Sequence, residues 1–301
     1  MSMFSRRGFT GSILALFFRP GRAHGGETPS TPVASPLRTT LRRYRADAVI
    51  LLFGIALYRR SGVGGGQVSV EETGEGAEKR RTLFFAAGSD PKRAHGLKRL
   101  GWIREVVLGS GAAPAEAEYF GVLTSSPEES LEQSRKSISA PQSGKTLYSA
   151  VSGRNTAGRS RSAVTHFEFS SDANWSDRAL IDEAQSTFHG NVAWRETSWP
   201  EAANHAPPTF LLQMATLLEQ RTKRASGRYV YNEQEYLLEL ETSPQGAVRG
   251  KVRNRRTGNQ TAFRVWLENS PRSVVPIKIE FQPRSFLRLT FEALPDNAAP
   301  H

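Results

Sequence analysis

The stretch Val274–Leu294, VVPIKIEFQPRSFLRLTFEAL, decides the fold class of this chain. On both sides of a Pro- and Ser-containing turn, large apolar residues alternate with polar ones: Val275, Ile277, Ile279 and Phe281 before the turn, Leu287, Leu289 and Phe291 after it. A period of two is typical of strands that bury one face. The stretch therefore predicts an antiparallel hairpin that turns at Pro283 and has one apolar face.

Two more hairpins precede this one along the chain. Residues 228–241, RYVYNEQEYLLELE, predict a hairpin that turns around Asn232. Residues 247–268, AVRGKVRNRRTGNQTAFRVWLE, predict a hairpin that turns near Gly258. Together the three hairpins predict an antiparallel meander with one apolar face.

Three other segments have the period of amphipathic helices. They are residues 126–138 (SPEESLEQSRKSI), 174–190 (NWSDRALIDEAQSTFHG) and 209–221 (TFLLQMATLLEQR). The last two carry an apolar stripe that must be buried. We therefore expect an α+β fold, in which a few amphipathic helices cover the concave face of a curved antiparallel β-sheet or half-barrel.

The first half of the chain has weaker patterns. Residues 46–58, ADAVILLFGIALY, form its most apolar run, which is too short for the roughly 20 residues of a membrane-spanning helix and is expected in the core. The glycines of GVGGGQ, residues 62–67, predict a turn. Residues 81–89 and 116–126 are expected to be strands, whereas the Ser-, Gly- and Arg-rich residues 139–162 predict a flexible loop.

The beginning of the chain is basic and apolar in the order of an export signal. The segment SRRGFTGSILALFFRPGRAHG, from Ser5 to Gly25, resembles the twin-arginine signal. Its apolar run is short, and a disordered basic tail is the alternative. Export predicts a periplasmic or secreted protein of a bacterial cell envelope, with no transmembrane anchor after processing.

The domain boundaries follow from these features. We expect a signal at residues 1–24, a Pro-, Ser- and Thr-rich linker at 25–40, and one domain at 41–294. An alternative division has two lobes, 41–138 and 163–294, joined by the flexible loop at 139–162.

Composition and charge exclude some functions. The chain has 301 residues, of which 38% are hydrophobic, and no cysteine, which excludes disulfides, zinc–thiolate sites and thiol catalysis. Its formal charge is +11, but eight of its arginines lie within the first 45 residues, where Glu27 is the sole acid. The remainder is nearly balanced in charge, so we expect no nucleic-acid partner.

One resemblance rests on the carboxy-terminal segments quoted above. The order of a Leu-rich helix, the hairpin YVYNEQEYLLELE and the segment FRVWLENSPRSVVPIKIEFQPRSFLRLTFEAL resembles uncharacterised exported bacterial families of domains of unknown function. Their half-barrel is similar to periplasmic lipoprotein carriers. The resemblance covers about residues 205–294 and implies an envelope protein that holds an apolar ligand. It assigns no catalytic residue.

The leading hypothesis is therefore a protein that binds a lipid or another apolar or amphipathic ligand between its sheet and its helices, without a cofactor. The alternative for the same side chains is a plain hydrophobic core. The predicted wall consists of Phe210, Met214, Leu217, Trp266, Ile279, Phe281, Leu287 and Leu289.

A second hypothesis is an envelope hydrolase or transferase. The loop GSDPKRAHGLKRLGW brings Ser89, Asp90 and His95 close together for acid–base work, and Arg93 and Arg99 are candidates to bind an anion. The alternative is a solvated loop made of turn-forming residues. Histidine spacing fits no metal-ligand pattern, so we expect no metal site.

A third hypothesis is binding of a polyanion. Residues Arg249, Lys251, Arg253 and Arg255 recur with period two in VRGKVRNRR and share one side of a predicted strand. Such a row of charges also protects exposed strands against aggregation, which is the alternative.

Overall fold

The computed structural model describes residues 38–52, 55–75, 78–95, 98–110, 113–124, 143–174, 176–188, 192–244, 246–268 and 274–295. The elements of this part of the chain are, in order, β1 (Arg38–Leu52), β2 (Ile55–Thr73), β3 (Arg80–Ser89), β4 (Leu100–Ser110), β5 (Ala113–Thr124), β6 (Lys145–Thr156), β7 (Arg159–Ser170), α1 (Arg178–Phe188), β8 (Arg195–Ser198), a 3-10 helix (Pro200–Ala202), α2 (Phe210–Glu219), β9 (Arg224–Tyr231), β10 (Gln234–Thr242), β11 (Ala247–Asn254), β12 (Gln260–Leu267), β13 (Pro276–Arg284) and β14 (Leu287–Ala293).

The strands form one antiparallel sheet made of two meanders. Its order is β8-β7-β6-β5-β4-β3-β2-β1-β14-β13-β12-β11-β10-β9. The meanders join where the first strand pairs with the last, with Tyr44 opposite Ala293 and Ile50 opposite Leu287. The chain passes from the β8 edge to the β9 edge through the 3-10 helix and α2.

The expected α+β class is wrong. The described residues form a single 14-stranded sheet with two α-helices, rather than a sheet covered by several helices. The third expected helix, residues 126–138, lies outside the described residues, as do the expected signal and most of the linker. The class was wrong because several strands are built from small residues, which have no clear alternation to read.

The two helices lie on opposite faces of the sheet. Leu212 of α2 packs with Leu83 and Val107, which lie on the inner face of the curled sheet. On α1, in contrast, Phe188 makes an edge-on contact with Phe120, with ring centroids 5.0 Å apart, on the outer face. Helix α2 thus packs against β3, β4, β9 and β10, and α1 packs against β7.

Hydrogen bonds between side chains and backbone bring the two ends of the sheet together. We call these contacts the polar seam. Asn155 on β6 donates its amide to the carbonyls of Pro207 at 3.0 Å and Val230 at 3.3 Å. The Tyr119 hydroxyl on β5 accepts the backbone N–H of Asn232 at 2.9 Å. The sheet thus curls until the β9–β10 hairpin contacts β5 and β6.

The expected flexible loop at residues 139–162 is wrong for its described part. Residues Lys145–Thr156 and Arg159–Ser170 are the paired strands β6 and β7. Their small residues face large or polar partners: Gly153 lies beneath the Tyr119 ring, and Ser160 donates to Asn155 at 2.8 Å. Ser- and Gly-rich composition, which usually marks loops, here fits a buried strand.

The glycine turn expected at residues 62–67 is also wrong, because these residues lie within β2. A Cβ added at Gly64 would lie 2.0 Å from the carbonyl oxygen of Gly88 on β3. The glycine is needed for this close approach of two backbones rather than for a turn.

The apolar run at 46–58 is the hairpin of β1 and β2, and its tip is not core. Strand β14 pairs with β1 only as far as Ile50, and β3 pairs with β2 only from Gly64 onward. The hairpin therefore extends past both neighbours. Its tip exposes 50% of Leu52, 69% of Ile55 and 62% of Leu57.

Other expectations are confirmed. Two of the expected helices are α1 and α2, and the three expected hairpins are β9–β10, β11–β12 and β13–β14. Asn232 and Glu233 form the first hairpin turn with φ of 45° and 59°, the left-handed conformation that a two-residue turn needs. In the third, Pro283 lies inside β13, two residues before the turn at Ser285 and Phe286.

Candidate functional site

A cavity of about 870 Å³ lies between the inner face of the sheet and α2. Strands from both meanders form its wall, and Phe210, Met214 and Leu218 of α2 form one side. The wall is predominantly apolar, and its volume lies within the range of about 300 to 1,000 Å³ that is typical of small-molecule sites.

Most of the predicted wall residues lie around this cavity. The six that line it are Phe210, Met214, Ile279, Phe281, Leu287 and Leu289. Leu217 is also a residue of α2, but its side chain is buried in the hydrophobic core and does not line the cavity. Trp266 lies on the outer face, where the Lys278 ammonium stands 5.0 Å from its ring centroid. Because strand side chains alternate, Val265 rather than Trp266 reaches the cavity.

We infer the mouth of the cavity from its exposed lining residues, which lie beside the β1–β2 hairpin. They include Tyr58, His95 and Arg99, and Arg60 lines the same end, so this end carries cations. Arg60 donates to the His95 ring nitrogen, and Arg99 donates to the carbonyl of Thr124 at 3.4 Å. An apolar interior with cations at its opening suits a molecule that has an apolar body and an anionic end.

The loop of the hydrolase hypothesis lies at this mouth. Hydrogen bonds between its side chains and its own backbone hold it in place. Ser89 donates to the carbonyl of Arg99 at 3.2 Å and accepts the N–H of Arg99 at 2.8 Å. Asp90 accepts the N–H of Lys92 at 2.9 Å, as turn-forming aspartates do. The structure brings Ser89 and His95 to the same mouth, and a catalytic role for them stays a prediction.

A buried carboxylate that the sequence analysis missed holds α2 in place. Glu105 on β4 is fully buried and accepts the N–H groups of Leu211 and Leu212 at 2.8 Å each, as well as the Thr209 hydroxyl. Glu105 thus caps the first turn of α2, although it lies on a strand that is distant from α2 in sequence. Burial raises the pKa of Glu105 to about 7, although these donors oppose the rise. The signal in the sequence that could have identified Glu105 is that it is the only acidic residue of β4 and lies at an inward-facing position.

A second buried carboxylate holds the base of the β1–β2 hairpin. Asp47 accepts the N–H of Gly62 at 2.9 Å, and the Arg59 guanidinium lies 3.3 Å away. Burial pushes its pKa up, but the Gly62 N–H, Arg59, Arg45 and Ser61 outweigh burial and hold the pKa below its usual value.

The basic row of the polyanion hypothesis lies on β11, facing away from the cavity. Arg249, Lys251 and Arg253 are all exposed there. The neighbouring strand β10 places Glu239 opposite Lys251 and Glu241 opposite Arg249. Arg255, the fourth predicted cation, pairs with Glu235 at 2.9 Å. The two anion-binding candidates of the hydrolase hypothesis lie elsewhere. Arg93 forms an ion pair with Asp90 at 3.7 Å, and Arg99 lies at the mouth of the cavity. Anion binding stays a prediction.

The sequence analysis also missed wall residues in weakly patterned strands. Ser149 on β6 lines the cavity and lies 3.0 Å from the Nδ1 atom of His166 on β7. Val151 on β6 and Phe85 on β3 line it as well. Only the pairing register, which places all of them on the inner face, could have identified them.

The fold and the cavity define a mainly-β protein with a ligand-sized, apolar interior. No protein-family model matches this chain, and no curated protein resembles it significantly. Among the residues described above, no three His, Asp or Glu side chains are grouped so as to hold a metal ion. In the same part of the chain, no helix is long and apolar enough to cross a bilayer.

Proposed function

We propose that this protein binds an amphipathic ligand with an acyl-like apolar body and an anionic end. The single observation that carries the proposal is the apolar cavity of about 870 Å³ that opens at a basic mouth. The resemblance to periplasmic lipoprotein carriers implies a function of the same kind. The wall would bind the apolar body, and Arg60 and Arg99 would bind the anionic end.

A cavity of this size is unusual, since protein interiors are otherwise close-packed with few voids larger than a water molecule. An unfilled apolar cavity costs stability in proportion to its volume. A bound apolar chain recovers about 25 cal/mol for each Å² of surface that it removes from water. An apolar ligand therefore stabilises this fold by filling its interior.

Uptake of a fluorescent fatty-acyl probe by the purified chain tests the proposal. Ala48→Trp places an indole on the inner face, between Leu289 and Arg60. We expect it to weaken probe binding by at least about tenfold, which is 1.4 kcal/mol. The matched control is Ala262→Trp, which puts the same ring on the outer face of β12 next to Phe263. Absence of saturable uptake, or equal affinities of the two variants, would overturn the proposal.

The role of the mouth is tested by a charge variant. We expect Arg99→Gln to weaken a probe that has a free carboxylate more than the corresponding methyl ester. Arg249→Gln removes the same charge from the outer face and is the control. A loss of affinity that is equal for acid and ester would contradict an anionic end at Arg99.

We further propose that residues 1–24 act as an export signal and that the protein works in a bacterial cell envelope. The paired arginines, Arg6 and Arg7, and the following apolar run support this. Amino-terminal sequencing of the protein from fractionated cells is the test. Recovery of the intact chain from the cytosol alone would refute it.

A further inference from the structure

The tip of the β1–β2 hairpin, residues 50–52 and 55–60, is the most unusual surface of the described molecule. Four consecutive residues of β2, from Ile55 to Tyr58, are apolar and exposed, as is Leu52 on β1. A two-stranded arm in water normally keeps a polar face. An arm with apolar side chains on both faces and unpaired edges is an aggregation hazard unless something covers it.

Cations surround the base of this tip. Arg59 and Arg60 follow the apolar residues directly, and Arg93 of the neighbouring loop packs over Gly62. The side chains of Arg59 and Arg93 are 62% and 67% exposed. Arg59 forms an ion pair with Asp47 at 3.3 Å and Arg93 one with Asp90 at 3.7 Å, so these carboxylates offset part of the charge. Arg60 and the exposed Lys92 keep the base of the tip net positive.

The spacing along the strand fits a bilayer interface. At about 3.3 Å per residue, Leu57 lies roughly 7 to 10 Å and Ile55 roughly 13 to 17 Å beyond Arg59 and Arg60. Amphipathic segments that lie at membrane surfaces bury their apolar side chains about 5 to 10 Å deep while basic side chains contact anionic head groups. The apolar tip is therefore long enough to reach that depth while the basic side chains at its base stay at the head groups.

We propose that the β1–β2 tip docks this protein on membranes that contain anionic lipids. Leu52, Ile55 and Leu57 insert, and Arg59, Arg60 and Arg93 contact the lipid phosphates. Charge complementarity favours lipid over a second copy of this chain, since two copies would bring the same cations together. A narrow convex tip also fits a fluid surface better than a flat protein face.

Docking would place the cavity against the bilayer. Tyr58 of the tip and Phe286 next to it are 54% and 55% exposed, and both also line the cavity at its mouth. The docking itself does not depend on the proposed ligand. The consequence that an amphipathic ligand passes directly between bilayer and cavity rests on the proposed function.

Vesicle sedimentation of the full chain tests the docking. The triple variant Leu52→Ser, Ile55→Ser, Leu57→Ser should lose binding to vesicles of phosphatidylcholine with phosphatidylglycerol, on the order of a hundredfold. The matched control is Leu41→Ser, Leu108→Ser, Ile277→Ser, which makes the same three replacements at exposed sites of β1, β4 and β13 outside the tip. It should bind as the unmodified chain does. Unmodified chain should bind vesicles of phosphatidylcholine alone far more weakly.

A fluorescent label locates the contact even if another segment also binds lipid. The chain has no cysteine, so Leu57→Cys carries a single environment-sensitive fluorophore, and Leu108→Cys is its control. Vesicles should shift the emission of the first label to the blue and leave the second unchanged. Equal binding of both triple variants, or an unshifted label at 57, would overturn the proposal. A label already shifted before lipid is added would show that the chain itself, or a second copy, covers the tip.

The two proposals fail separately. Leu52, Ile55 and Leu57 do not belong to the cavity wall. The serine variant should therefore take up the fatty-acyl probe normally in the absence of vesicles. Normal uptake with lost sedimentation supports docking, whereas absent uptake in the unmodified chain refutes the proposed ligand alone.

Discussion

Replacing Glu105 by glutamine tests how a buried carboxylate supports α2. Glu105 is fully buried, and its two oxygens accept the N–H groups of Leu211 and Leu212. Glutamine has the same shape as the protonated acid and can keep one acceptor in place, but it cannot ionise. The change therefore removes a titration and leaves the packing of β4 against α2 nearly intact.

The magnitude follows from the pKa of Glu105, which burial raises from its ordinary 4.5 to about 7. Between these values the folded chain holds a proton that the unfolded chain has released. The free energy of unfolding of the unmodified protein therefore falls as the pH rises through this window. The difference corresponds to about 3 kcal/mol from this one group. The Gln variant lacks this contribution, so its stability relative to the unmodified chain should rise by that amount.

Urea unfolding, followed by circular dichroism at pH 4.5 and pH 8, measures the effect. We expect the stability difference between Glu105→Gln and the unmodified chain to shift by about 3 kcal/mol in favour of glutamine at the higher pH. Glu239→Gln, at an exposed position of β10, should show a shift within about 0.5 kcal/mol. A difference that does not change with pH, or a shift toward glutamate at pH 8, would refute the reasoning.

Three further changes test other contacts by urea unfolding. Asp47→Asn should cost about 1 to 3 kcal/mol at pH 7, where the carboxylate accepts the Gly62 N–H. This cost should shrink in acid, because the unmodified chain loses the contribution as the pH falls through the depressed pKa of Asp47. Gly153→Ala should cost about 2 kcal/mol or more, since its Cβ would lie 2.0 Å from the Tyr119 ring; a change below 0.5 kcal/mol would contradict this packing. Leu180→Ala on α1 should cost about 2 to 5 kcal/mol, yet leave fatty-acyl uptake unchanged if α1 lies on the outer face.

The sequence predicted the wall of the cavity well only in strands where large apolar residues alternate regularly with polar ones. In β13 and β14 large apolar residues alternate with charges, so Ile279, Phe281 and Leu289 were correctly placed on one face of a hairpin. In β12 the neighbours Val265 and Trp266 are both large and apolar. Their period does not show which one points inward, and the predicted wall contained Trp266, which lies on the outer face.

Strands built from small residues could not be identified by pattern. Gly153 and Ser160 are buried because Tyr119 and Asn155 complete their surroundings. Those partners are distant in sequence or lie on another strand. A small residue has little burial energy of its own, so its environment becomes defined only when the sheet assembles.

The sequence by itself determined the hairpins of the last third, the apolar stripes of α1 and α2, and the concentration of charge near the amino terminus. These depend on local period and composition, which no tertiary contact can change. Only the tertiary structure decided that β1 pairs with β14, that the two helices lie on opposite faces, and that the tip of the β1–β2 hairpin is exposed to solvent. Whether an apolar residue is buried depends on how far its neighbouring strands extend, and that is a property of the assembled sheet.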